Sequence, residues 1–165
     1  HRYPRIDKGE IRAVVERHPH LRADLGALNR GLQRYRMHFG YRVFDEIMQF
    51  VHHAEANGLF PTADDAFDHA VLMKVLPKFN GSRAKLENAL FELLHWCRAD
   101  GTITTGGRAE LEAKLAQLTE DRQPLSSIVV TGSESAGDDW RYPATGRRAA
   151  LMMQDLYTDG FASFG

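Results

Sequence analysis

The sequence predicts an all-α protein, a single helical bundle of about six to seven helices, on three observations. Apolar residues recur at spacings of three and four along most of the 165-residue chain. Asp, Thr and Ser residues that can cap helices stand just ahead of those runs, and Gly or Pro just after them. Only Ile128-Val129-Val130 has the β-branched density of a strand, so at most one short strand or hairpin is expected, near residues 126–131. The length and a hydrophobic content of 43% suit one buried core, and residues 1–165 are read as one helical domain.

Each element has its local reason. Asp7 can cap a short helix that runs through Val14-Val15 and stops before Pro19. Leu21, Leu25, Leu28 and Leu32 form one stripe of a second helix ending near Arg36. From Tyr41, the residues Val43, Phe44, Ile47, Met48, Val51 and Ala54 take one face of a third, with Asp45, Glu46, Gln49, His52 and His53 opposite; Asn57-Gly58 stops it. Thr62 caps a fourth, with Phe67, Val71 and Val75 inside, which must end at Leu76-Pro77 because proline lacks the donor. After a turn at Asn80-Gly81, Ser82 starts the most regular helix, with Leu86, Leu90, Leu93, Leu94 and Cys97 inward and Asp100-Gly101 closing it. A helix from about Arg108 to Leu118, the linker TEDRQP and the polar loop GSESAGDD follow. Pro143 suits the first turn of a last helix through Tyr157, ended by Gly160, with Phe161 and Phe164 folding back onto the core.

Charge is uneven. Residues 1–42 carry a net +6 and are rich in Arg, whereas residues 43–80 carry −4. Arg grips phosphate or carboxylate in a fork, so the basic front fits contact with nucleotide, nucleic acid or an acidic neighbour; a solvated helix face is the plain alternative. The single Cys97 excludes an intrachain disulfide, and no apolar run is long enough to span a bilayer, so the chain reads as soluble and cytoplasmic, without membrane contact. It begins with His1 rather than Met, which suggests a piece of a longer protein or a processed chain.

The segment FGYRVFDEI admits a Walker B strand ending in Asp45-Glu46, but the periodicity is helical and no G-x-x-x-x-G-K-[ST] phosphate loop occurs. The helical reading puts Arg42 in a first turn, where a cation opposes the helix dipole. An anion held there by backbone amides and Arg42 together would explain it, as would an ion pair with Asp45 or Glu46. His52-His53, His69 and His95 lack metal-binding spacing, Cys97 lies on an apolar stripe as a packed thiol, and Ser133 and Ser135 lack a nucleophile elbow. No metal site is expected. Basic residues also gather at two helix starts, in KVLPKFNGSR (Lys74, Lys78, Arg83) and in RYPATGRR (Arg147, Arg148).

FGYRVFDEIMQFV, KVLPKFNGSRAKLENAL and YPATGRRAALMMQDLYTDGFASF together resemble the C-terminal helical, or lid, portion of McrB-like AAA+ ATPases, NTPases of DNA restriction and phage defence. The resemblance covers residues 39–165, with residues 1–38 as lead-in helices, and departs from the family pattern at YPATGRR. It implies a lid that closes over nucleotide and couples hydrolysis to assembly or to a nuclease partner. Arg42 would match a sensor-2-type arginine and act on the nucleotide phosphates. Lys74, Lys78, Arg83, Arg147 and Arg148 would be candidates for nucleotide or partner binding. The implied cofactor is ATP or GTP with Mg, bound only by the full-length protein. The implied partners are an AAA+ core of the same parent, further copies in a homo-oligomeric ring, a nuclease subunit and DNA. Walker A and B elements are absent from these residues, so no activity is expected from them alone. The alternative is a non-enzymatic all-α module that binds nucleic acid or a partner protein through its Arg-rich N-terminal part.

Overall fold

The computed structural model describes residues 5–98 and 140–165, and its architecture is mostly helical. Six α-helices and one two-stranded sheet are found among these residues: α1 (Lys8–Arg17), α2 (Pro19–Gln33), α3 (Tyr41–Ala56), α4 (Ala63–Lys74), β1 (Asn80–Ser82), α5 (Arg83–Cys97), α6 (Pro143–Asp159) and β2 (Phe161–Ser163). The contacts group into two compact units, residues 1–75 and 76–165. The expected helix 108–118, the TEDRQP linker, the strand near 126–131 and the GSESAGDD loop lie outside the described residues. No helix among the described residues is long and apolar enough to cross a membrane.

In the first unit the caps act as the sequence suggests. Asp7 Oδ1 accepts from the amides of Gly9 at 2.9 Å and Glu10 at 3.3 Å. Thr62 likewise accepts from Asp65 N at 3.1 Å to start α4. Pro19 opens α2, where its missing N–H would have had no helical partner. Leu21, Leu25, Leu28 and Leu32 are all buried, each burial contributing about 1.5–3 kcal/mol. Helix α3 packs against both α1 and α4, and α1 also packs against α2. Gln49 departs from its expected place on the outer face of α3. It is buried, accepting from Asp7 N at 3.0 Å and donating to Arg5 O at 2.6 Å. A carboxamide offers both a donor and an acceptor, so it can pair the backbone that leads into α1 where an apolar side chain could not.

The second unit is built on the pair α5 and α6, closed by a small sheet. Asn80-Gly81 is not a free turn: Asn80, Gly81 and Ser82 pair antiparallel with Ser163, Ala162 and Phe161. Ser82 precedes α5 as expected but makes no side-chain cap bond; the Arg83 amide instead donates to Gly160 O at 3.2 Å. Strand alternation buries Ala162 and leaves Phe161 52% exposed, so Phe161 does not fold back as expected. Gly160 ends α6 in the left-handed region, φ 75°, as a helix-stopping glycine should.

Helix α5 ends at Cys97, short of Asp100-Gly101. Arg98 is extended and bridges to Trp140, and the amides of Arg141 and Tyr142 both donate to Cys97 O, at 2.8 and 3.2 Å. The chain entering α6 therefore caps the end of α5. Trp96 and Tyr142 stack with ring centroids 4.6 Å apart, and Arg141 donates to Trp96 O at 2.6 Å. Gly146 makes this approach possible, since a Cβ there would stand 3.0 Å from two Trp140 ring carbons and 3.4 Å from the Cys97 Cβ. Gly146→Ala should therefore destabilise the protein by about 1–3 kcal/mol despite the better helix propensity of Ala. Gly40→Ala, with open space around it, should cost less, about 0.5–1 kcal/mol, from the poorer cap that Ala makes. Denaturant melts of both variants check this, and a neutral or stabilising Gly146→Ala would refute the packing argument.

Candidate functional site

The six residues singled out by sequence fall in both units, and most of them are engaged within the chain. Arg42, second residue of α3, donates from Nε to Glu46 Oε1 at 3.0 Å; Lys74 Nζ, at the end of α4, lies 3.2 Å from Glu46 Oε2. The i,i+4 ion pair, one of the two explanations for a cation in this first turn, is thus present. The largely covered Glu46 carboxylate brings Arg42 and Lys74 together and ties α3 to α4. Arg42 remains 57% exposed at its side chain.

In the second unit Arg83 pairs with Glu87 at 2.9 Å, lies 4.3 Å over the Tyr157 ring, and Tyr157 donates to Glu87 Oε1 at 3.2 Å. Arg148 donates to Phe164 O and covers the Phe164 ring, pinning the residue that follows β2. Lys78 follows α4 in a short 3₁₀ turn, and Arg147 is exposed on α6. The KVLPKFNGSR corner is a folding device in large part, because Lys85 Nζ also donates to Asn80 O at 3.0 Å.

The feature that sequence reasoning missed is a groove of about 760 Å³ between α2 and the start of α3. Its shape begins with a turn. Arg36 takes φ 58°, and the Met37 amide donates to Leu32 O at 3.1 Å, which ends α2. Asn29 then grips the returning chain: its Nδ2 donates to Phe39 O at 2.9 Å and its Oδ1 accepts from Phe39 N at 2.7 Å. Both backbone groups of Phe39 are satisfied, and α3 starts one residue later. Gly40 occupies the cap position without a side-chain cap bond, so the first amides of α3 have neither a helical partner nor a capping oxygen.

Apolar and small residues floor this groove: Leu25, Phe39 and Phe44, with Ala23 and Gly26 on the α2 side. Tyr41 stands at its edge with 89% of its surface exposed. Arg22 and Arg30 line the α2 wall, and neither guanidinium has an ion-pair partner among the described residues. The Arg30 Nη1 lies 3.4 Å from where a Gly26 Cβ would be, so the guanidinium lies across that small residue. Asp45, the acidic group of the groove, is paired with Lys8. The sequence held a partial signal: Arg22, Gly26 and Arg30 recur at a spacing of four along α2 beside its leucine stripe, with Ala23 next to them.

A second concavity of about 590 Å³, bordered by Arg5, Lys8, Glu10, Gln49 and His53, is largely engaged internally. Glu10 lies 2.9 Å from His53 Nε2, and Gln49 is used up on backbone. Two further His–carboxylate pairs hold the unit together, His20 with Asp64 at 2.6 Å and His18 with Glu55 at 2.9 Å, the latter shared with Arg17 at 3.1 Å. Burial raises the Glu55 carboxyl, but the hydrogen bonds and charges of His18 and Arg17 outweigh it and hold the group below its ordinary value. Among the described residues no group of three or more His, Cys, Asp or Glu side chains could hold a metal ion. Cys97 is a buried thiol.

These features define a helical protein with an arginine-flanked groove on its first unit. Residues 10–161 match the family described as a domain of unknown function (DUF8727), and the chain belongs to that family. No curated protein and no solved structure matches it.

Proposed function

We propose that this chain is a non-enzymatic all-α module that docks a partner molecule in the α2–α3 groove. One observation carries the reading: two arginines without ion-pair partners among the described residues flank an open, apolar-floored groove at an uncapped helix start. Desolvating exposed arginines with no bound anion gains nothing in folding, whereas a ligand carboxylate or phosphate would give each a charge-assisted hydrogen bond. Photoreactive benzoylphenylalanine in place of Tyr41, an exposed ring that already lines the groove, should give a discrete adduct in cells that make the protein. The same group at Ala56, exposed at the far end of α3, should not, and the Arg22→Glu/Arg30→Glu double variant should reduce the Tyr41 adduct at least about tenfold. Equal adducts from both positions, or indifference to the charge reversal, would contradict the reading.

A second reading is the lid of a McrB-like AAA+ NTPase in a longer parent protein, with ATP or GTP and Mg bound by the parent's core. Its support is the exposure of Arg42 in the first turn of an uncapped α3 beside the groove. In this reading the guanidinium leaves Glu46 for the nucleotide phosphates, and Lys74 retains the carboxylate. Arg42→Ala in the parent protein should then lower hydrolysis at saturating nucleotide by at least about tenfold, the scale of one lost charge-stabilising donor. Unchanged turnover would leave only the docking module.

A further inference from the structure

We infer that the occupant of the α2–α3 groove is a protein segment that presents acidic side chains on either side of an apolar anchor. The inference rests on the groove being the docking site and adds the chemistry of what docks there.

Three features favour acidic protein over nucleic acid. Arg22 and Arg30 are eight residues apart on one helix, which at about 1.5 Å per residue sets their backbones about 12 Å apart. Between them the small side chain of Ala23 leaves the α2 surface low, so an incoming backbone can approach closely there and place a side chain over the floor of Leu25, Phe39 and Phe44. An apolar floor bracketed by two cations is complementary to an apolar side chain bracketed by two carboxylates, the arrangement of an acidic amphipathic segment. Tyr41, exposed and lining the same groove, supplies the amphipathic ring that such interfaces favour.

A polyanion meets a poorer match. Residues 1–75 hold eleven Lys and Arg against ten Asp and Glu, so the unit lacks the continuous basic field that tracks a phosphate backbone. Asp45 also lines the groove. Two isolated cations around a greasy floor suit a few discrete carboxylates.

A selection of a random peptide library on the 165-residue chain tests this, with a random-sequence single-stranded 20-mer oligonucleotide titrated in parallel. Peptides enriched in Asp and Glu around an aromatic or aliphatic residue are expected. Their binding should weaken at least about tenfold on Arg22→Glu/Arg30→Glu and equally on Ala23→Trp, which fills the groove at an exposed helix position. Circular dichroism establishes that both variants remain folded. Peptides blocked by Ala23→Trp but neutral or basic in composition, or indifferent to the charge reversal, would overturn the acidic assignment while leaving the groove as the docking site. Peptides indifferent to Ala23→Trp would overturn the docking site itself. Salt-sensitive binding of the oligonucleotide at the groove, with no peptide enriched, would replace protein by nucleic acid as the occupant.

Discussion

The two hydrogen bonds from the Asn29 side chain to the backbone of Phe39 fix the geometry on which the candidate site depends. A residue in the middle of a helix rarely has reason to be Asn, which costs helix propensity and competes with the backbone. Here it satisfies a donor and an acceptor that a returning loop would otherwise leave unpaired beside the core, at about 1–3 kcal/mol for each group left so. The clamp sets where α3 begins. With Phe39 buried and Gly40 as the cap residue, the helix opens with bare amides and Tyr41 outward, against the small-residue face of α2. A Ser, Thr, Asp or Asn at the cap would have satisfied one of those amides internally.

Several of the other charges in the first unit hold helices together. Glu46 collects Arg42 and Lys74, Glu55 collects His18 and Arg17, and Glu10 and Asp64 each take a histidine. Exposed pairs of this kind contribute little individually, but they determine which cations are already engaged. That distinction separates Arg42, partnered, from Arg22 and Arg30, whose guanidinium groups have no such partner among the described residues. In the second unit the aromatic and arginine contacts of Trp96, Tyr142, Arg141, Arg83 and Arg148 are likewise turned inward or along the chain.

The helices were legible because their signals are local. The leucine stripe of α2, the caps Asp7 and Thr62, Pro19 and Pro143 at helix starts and Gly160 at a helix end act within a few residues, and each does what its chemistry requires. What escaped the sequence depends on distant residues. Asn80–Ser82 becomes a strand only because Phe161–Ser163 returns beside it. Gln49 belongs on a polar face by pattern, yet the backbone at Arg5 and Asp7 draws it into the interior. The arginines chosen for their place at helix starts proved to be partnered for the most part, because a first-turn Arg four residues ahead of a Glu finds that Glu first, as Arg42 and Arg83 both do. Arg22 and Arg30 carried no motif, and only the fold sets them along one groove.

Amide hydrogen exchange at single-residue resolution tests the origin of that groove most directly. The Phe39 amide, held by Asn29 in an otherwise irregular loop, should exchange slowly, while the Tyr41 amide two residues on should exchange at close to the rate of an unstructured chain. If Phe39 exchanges as fast as Tyr41, the clamp is not formed in solution and the α2–α3 groove is not a fixed feature of the molecule.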